Sequence, residues 1–263
     1  MPKAKANNID IYYEEYGQGD PLVLISGLAS DHTTWSEIAK IFANDFRVII
    51  FDNRGIGETT VSDASCSMDV LANDTLALMD SLGIAKAHIL GQSMGGAIAQ
   101  TIAINHPERI DKLILSASFY KINAAPRYAI QAIIKLIERE VDPAILGEVI
   151  MPWAYSSTFL SDQKNIKKII ERSKKRSTPS LLGYKKQWEA IDSFNSFASL
   201  KKIKSPTLII GAEEDIIVPV QETEKMAQGI PGAKLEMLPL TGHSVWFEAP
   251  NKVCEIVLEF LKK

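Results

Sequence analysis

Three short stretches of this 263-residue chain carry side chains that could together make an alcohol react. Gly91-Gln92-Ser93-Met94-Gly95 lies between the apolar run His88-Ile89-Leu90 and the helix-compatible run Gly96-Ala97-Ile98-Ala99-Gln100. A serine at such a strand-to-helix turn takes up strained dihedrals, and glycines two residues to either side leave room for the crowded backbone. Its hydroxyl is then expected to stand out at the top of a sheet. A serine hydroxyl is a poor nucleophile at neutral pH, so an imidazole must accept its proton and a carboxylate must hold that imidazole in one tautomer. Gly211-Ala212-Glu213-Glu214-Asp215 and Thr241-Gly242-His243-Ser244 each follow an apolar run. That pattern puts an acid and a histidine on loops at the carboxyl edge of a sheet, where ligands collect in open α/β folds.

The roles follow from the chemistry: Ser93 as nucleophile, His243 as general base and then acid, and Asp215 as the group that orients it. Ser, Asp, His is one of the chain orders in which this trio recurs. Glu213 and Glu214 stand beside Asp215 as alternative acids. A tetrahedral intermediate also needs donors for its oxyanion, and the backbone N–H groups of Met94 and Leu28 are the candidates. The first opens the helix after the nucleophile, and the second follows the strand that ends in Ser26-Gly27. Each such donor contributes about 3 kcal/mol of transition-state stabilisation. Of the other histidines, His88 reads as a satisfied core residue, His106 as a helix terminus, and His32 as a loop or helix-start residue near the oxyanion turn. Asp52 and Arg54 read as partners in structural hydrogen bonds within a turn. Phe119, Trp153, Trp188 and Val245 are candidates for the walls of an apolar pocket.

These groups need a scaffold, and its elements are visible in the periodicity. Residues 9–16 read as an edge strand behind a polar stretch, 1–8, and Pro21-Leu22-Val23-Leu24-Ile25 as a buried strand. A second buried strand covers 47–52, and a helix 67–82 has Ser67 as N-cap and Gly83 as its stop. A strand into Gly91, a helix 94–105 and a strand 112–115 follow. Strand and helix alternate, which argues for a mostly parallel, doubly wound sheet covered on both faces. The alternation breaks at 119–204, where helical stretches such as 129–140 and 166–175 are interrupted by Pro126, Pro143, Pro152 and Pro179. Strand 206–211, a helix around 220–228, strand 234–238 and helix 253–261 complete the chain. The division expected is a core of 1–118 and 205–263 with a helical cap inserted over 119–204.

Beside the serine turn, four motifs in order, Pro21 to Gly27, Phe51-Asp52-Asn53-Arg54-Gly55-Ile56-Gly57, Pro206 to Asp215 and Gly242-His243, resemble the α/β-hydrolase superfamily. The resemblance runs from about Asn8 to Phe260 and is closest to small esterases, 3-oxoadipate enol-lactonases and cofactor-free haloperoxidases. It implies the α/β-hydrolase fold and hydrolysis of a carboxylic ester through an acyl-enzyme on Ser93, with no cofactor. Carbon–carbon bond cleavage or perhydrolysis by the same trio is the rival activity, and a low-turnover small-molecule receptor on the same shell is the rival of another class. Ser26 stands where many members of the superfamily carry histidine.

Charge and cysteine usage narrow the setting. The chain has 29 Lys and Arg against 32 Asp and Glu, but 16 basic and 8 acidic residues fall within 121–204, leaving 13 against 24 for the rest. Six of the basic residues cluster in 166–176. Such a run ordinarily solubilises a helix face. Its functional reading is attraction of an acidic ester, such as a carboxylate-bearing lactone, or of an acidic acyl carrier protein, as the resemblance to pimeloyl-carrier methyl ester esterases implies. Nucleic acid is not an expected partner for this charge balance. Cys66 and Cys254 lack metal-site spacing, and no export or membrane-spanning stretch is evident, so a reduced, cytoplasmic protein is expected.

Overall fold

Short β-branched and aliphatic runs have no polar face to give to water, so they come to rest as strands covered on both sides. The computed structural model describes residues 2–173 and 180–263. In chain order the elements are β1 (Lys3–Ala6), β2 (Ile9–Tyr16), β3 (Pro21–Ile25), α1 (Ser36–Phe42), β4 (Arg47–Phe51), α2 (Met68–Ser81), β5 (Ala87–Gln92), α3 (Met94–Asn105) and β6 (Ile110–Ser116). Then come α4 (Ala124–Glu138), α5 (Pro143–Ala154), α6 (Ser157–Leu160), α7 (Gln163–Ser173) and α8 (Leu181–Ser193). The chain closes with β7 (Thr207–Ala212), α9 (Val220–Gly229), β8 (Lys234–Leu238), α10 (Val245–Glu248) and α11 (Pro250–Leu261).

Among the described residues the sheet has the order β1-β2-β4-β3-β5-β6-β7-β8. β1 with β2 and β2 with β4 are antiparallel, and every other neighbouring pair is parallel. Leu71 of α2, Ile98 of α3 and Met226 of α9 pack with Val23, Ile49 and Ile89 on one face. Ile38 and Phe42 of α1 and Val257 of α11 pack with Leu24, Ile50 and Leu90 on the other. Alternate residues of β3, β4 and β5 thus feed two separate cores, as the pleat requires. This is an α/β fold with a doubly wound, mostly parallel sheet.

The helix boundaries reflect local chemistry. Ser67 Oγ accepts from the Val70 N–H at 3.2 Å to start α2, and Gly83, at φ +69°, turns the chain just past its end. α4 begins at 124, ahead of the 129 expected, because Pro126 falls in the first turn, where its missing N–H costs nothing. α11 likewise starts on Pro250. α7 begins at 163, ahead of the 166 expected, and covers the stretch 166–175 as far as Ser173, whereas Lys174, Lys175, Arg176 and Pro179 lie outside the described residues.

Strand β2 is not an edge. The polar stretch ahead of it forms β1, whose Lys3 and Lys5 are exposed while Ala6 is buried, so β2 is paired on both sides. The connecting turn is Asn7-Asn8, with φ of +46° and +63°, the double left-handed turn that joins antiparallel strands tightly.

The turn after β4 is held by charge. Asp52, fully buried, accepts from the backbone N–H groups of His32 at 2.6 Å and Glu58 at 2.9 Å. A side chain on Gly57, at φ +56°, would meet the Asp52 carboxylate at 2.2 Å. Arg54 makes a bidentate pair with Asp74 on α2, at 2.7 and 2.6 Å, with both side chains largely buried. Replacing Arg54 by Met strands the Asp74 carboxylate without its cation. A stability loss of about 3 kcal/mol in urea unfolding is expected.

Candidate active site

Ser93 joins β5 directly to α3 and carries φ +54° and ψ −117°, a combination that L-residues avoid. Three glycines make the turn possible by leaving space where a Cβ would clash. A Cβ on Gly91 would lie 2.2 Å from the Gly95 carbonyl oxygen, one on Gly95 2.1 Å from that of Ile25 at the end of β3, and one on Gly96 2.3 Å from Ser118 Oγ. The turn is then fastened. The Ser93 N–H donates to the Ser116 carbonyl at 2.9 Å, and Ser118 Oγ donates to the Ser93 carbonyl at 2.9 Å.

Asp215 follows β7 and His243 follows β8, both at the carboxyl edge of the sheet where β5 delivers Ser93. His243 Nε2 lies 3.0 Å from Ser93 Oγ, and its Nδ1 lies 2.8 Å from Asp215 Oδ2. Asp215 Oδ1 accepts from the N–H groups of Ile217 and Val218 at 2.8 and 2.9 Å, so the buried carboxylate has its second oxygen fully occupied. Of the neighbouring acids, Glu214 bonds the Thr158 amide and hydroxyl instead, and Glu213 is exposed. A carboxylate on Nδ1 fixes the tautomer that leaves Nε2 free to accept a proton from the hydroxyl.

The expected oxyanion donors, the N–H groups of Leu28 and Met94, come from the turn after β3 and from the start of α3. Met94 is the first residue of α3, so its amide sits at the positive end of a twelve-residue helix. Gly27 and Leu28 follow β3, and the Gly27 backbone passes close to Ser93 Cβ, since a side chain at 27 would meet it at 3.3 Å. Neither N–H meets a backbone acceptor among the described residues.

This geometry has parallels in known proteins. Residues 20–250 match the family model for the alpha/beta hydrolase fold. The chain belongs to that family. A Mycobacterium tuberculosis relative named "Putative non-heme bromoperoxidase BpoC" is 28% identical over 256 residues, covering 96% of this chain and 97% of its own. The enol-lactonase of Burkholderia xenovorans LB400 superposes with a TM-score of 0.89 at 25% identity, covering all of both chains. A thermophilic esterase from Thermogutta terrifontis, with malate bound, does so with a TM-score of 0.89 at 25% identity, over 100% of this chain and 98% of the other.

In this α/β-hydrolase the helical segment between β6 and β7 roofs the site. A cavity of about 890 Å³ opens over Ser93 and His243, with walls contributed by α4, α5, α7 and α8. Phe119 and Trp153 line it. Trp188 and Val245 do not. Trp188 faces the core beneath α8, and Tyr184 and Ile191, three or four residues away on that helix, reach the cavity instead. Val245, fully buried, packs with Ile210 and Val253 on the opposite face of the sheet, because α10 turns back under the histidine loop.

The remaining histidines lie away from the hydroxyl. His32 packs on Tyr12 and places Nδ1 3.0 Å from Asp52. His106 caps the end of α3. His88 is buried as expected but not satisfied: its Nδ1 has no hydrogen bond and sits 3.4 Å from Asp111, and burial pushes its pKa down.

Several supporting residues have roles that only the folded chain shows. Asn53 Nδ2 donates to the Ser26 carbonyl at 3.1 Å, bracing the turn before Leu28, while Ser26 Oγ is buried without a partner. Trp246 Nε1 donates to Ser116 Oγ at 3.0 Å, tying the histidine loop to the strand beside the serine. Glu248 accepts from the Gly242 N–H at 3.1 Å and from Ser156 Oγ at 2.6 Å, and burial raises its pKa. The Ser244 N–H donates to the Ala154 carbonyl at 2.9 Å. A dipeptide such as Gly242-His243 marks the loop, but most of its anchors, Ser116, Ala154 and Ser156, lie far away in sequence and surface only on folding.

Gly95→Ala drives a methyl into the Ile25 carbonyl. The variant is expected to lose about 2 kcal/mol or more in thermal unfolding, because α3 must retreat from β3.

Proposed function

We propose that this protein is a serine carboxylic-ester hydrolase, an esterase or lactonase that works through an acyl-enzyme on Ser93. The observation that carries the reading is the continuous hydrogen-bonded chain from Ser93 Oγ through His243 to Asp215 at the floor of an apolar cavity. Ser93 Oγ attacks the acyl carbonyl carbon while its proton passes to His243 Nε2. The tetrahedral oxyanion is met by the N–H groups of Leu28 and Met94, each contributing about 3 kcal/mol. As the intermediate collapses, His243 gives its proton to the departing alcohol oxygen and the ester C–O bond breaks. Water then loses a proton to His243 and adds to the acyl carbon, and the proton returns to Ser93 as the acid leaves. Asp215 keeps its charge throughout and stabilises the imidazolium.

In this reading residues 119–204 act as a cap that selects the substrate. The walls are mainly apolar, with Ile130, Ile133, Met151 and Ile166 among them, which suits a small or medium acyl group. Lys164, Lys167 and Lys168 stand exposed on α7, whose Ile166 and Ile169 line the cavity, and they favour approach of an acidic ester or an acidic acyl carrier protein. Likeness to the BpoC relative favours a second reading, perhydrolysis, in which peroxide replaces water in the deacylation step.

Ser93→Ala should lower p-nitrophenyl ester turnover by at least about a thousandfold with an unchanged melting temperature. Assays of peracid formation and of vinylogous diketone cleavage on the same preparations separate the rival chemistries. Esterolysis that survives the substitution places the nucleophile elsewhere.

Gly147 lies in the middle of α5, on the stripe that includes Ala144, Glu148, Met151 and Ala154, all lining the cavity. Its φ is not left-handed, and a side chain there would meet nothing within 4 Å. Neither packing nor backbone demands a glycine. Gly147→Leu is expected to cut kcat/KM for the longest accepted acyl chains roughly tenfold, a change of about 1.4 kcal/mol, while acetyl and propionyl esters are unaffected. A chain-length series of p-nitrophenyl esters reads the shift.

A further inference from the structure

Gln187, on α8, is completely buried although it carries two donors and two acceptor lone pairs. Its Oε1 accepts from the Ala29 N–H at 2.9 Å, and its Nε2 donates to the Arg54 carbonyl at 3.1 Å. One partner can only donate and the other only accept, so the amide has a single workable orientation.

Ala29 is where this contact matters. It follows Leu28 directly and has φ +55°, a left-handed conformation in a residue that is not glycine. The Ser30 N–H donates to the Gly27 carbonyl at 3.2 Å, which makes 27–30 a four-residue turn with Leu28 and Ala29 at its centre. A positive φ at the third position is the mark of a type II turn, and that position favours glycine. Alanine there prefers the type I alternative, reached by rotating the Leu28–Ala29 peptide half a turn. Rotation would swing the Leu28 carbonyl toward the place of the Ala29 N–H, against Gln187 Oε1. The glutamine therefore holds the turn in the form it would otherwise leave.

We infer that Gln187 is a positioning residue for the oxyanion turn: by accepting the Ala29 N–H it keeps the 27–30 turn in its type II form and so fixes the path of the backbone that carries the Leu28 N–H, the proposed oxyanion donor. The inference rests on the proposed serine esterase reading. It adds that a helix of the segment roofing the site, and not the sheet alone, sets the geometry of one oxyanion donor. Its second bond, to Arg54, fixes Gln187 against the turn that Asp52 and Asp74 hold rigid.

The experiment uses the full chain and a p-nitrophenyl ester whose turnover is first measured with Ser93→Ala. Activity that persists without Ser93 removes the esterase reading itself, whatever Gln187 does. With Ser93-dependent turnover established, Gln187→Leu is expected to lower kcat at least about tenfold with KM within threefold. Adding Ala29→Gly to that variant is expected to restore at least a third of the lost kcat, because glycine takes up the positive φ unaided. A merely structural glutamine would give no such rescue. Wild-type kcat in folded Gln187→Leu, or a double variant no faster than the single one, overturns the inference. Should Gln187→Leu fail to fold, Gln187→Glu decides, since it retains an acceptor opposite the Ala29 N–H: kcat within threefold of wild type supports the assignment, and a kcat below a tenth in folded protein overturns it.

Discussion

The approach of α3 to the carboxyl ends of β3 and β5, closer than any Cβ would allow, is the constraint on which the site depends. Gly91 and Gly95 give up side chains so that backbone meets backbone there, Gly96 does so to admit the Ser118 side chain, and Ser93 is left with nowhere to go but a strained, positive-φ conformation. The cost of that conformation, roughly 1–3 kcal/mol, is met by the buried strands around it. Ile89, Leu90, Leu113, Ile114 and Leu115 are all effectively inaccessible to water, so the sheet does not yield. The hydroxyl is thus fixed by the core, and the imidazole reaches it from a loop.

That loop is rigid for a different reason. Between Thr241 and Glu248 the chain has little apolar burial of its own until Val245 and Trp246, and it is held by polar ties: Trp246 to Ser116, Gly242 to Glu248, Ser244 to Ala154. Asp215 is fixed by two backbone N–H groups of its own turn. Each of the three side chains has an independent anchor. Their meeting at 2.8 and 3.0 Å is the result of the sheet placing the three loops side by side.

Much of this was legible in the residue pattern because it follows from local chemistry. The bounds of α3 and β8 coincide with their periodic runs, Ser67 and Gly83 mark the limits of α2, and the serine turn announces itself by its glycines. Strand β1 was missed because Lys-Ala-Lys-Ala has too few apolar atoms to signal burial, and it is the Asn7-Asn8 turn that folds it onto β2. Trp188 and Val245 stay off the cavity wall because which face of α8 or α10 meets the cavity depends on how those helices roll on the body. Gln187 and Glu248 carry no signal at all, and Asn53, though it falls within the 51–57 motif, none of its own, since a lone amide or carboxylate gains its meaning from a backbone group far away in the chain.

The clasp at the rear of the cavity has a consequence for how such proteins diversify. Ser156, just past α5, is bonded to Glu248, and Ala154 receives the Ser244 N–H, so the roof and the loop bearing His243 are stitched together at one point. Gln187 makes a second stitch at the other side. A chimera that swaps in a foreign roof would therefore inherit mismatched stitches at the loop that bears His243 and at the turn after β3. Drift in this segment is free at the cavity face of α5 and confined at its seams, so the shape of the cavity can change in the middle of the roof while its borders stay paired with the body beneath.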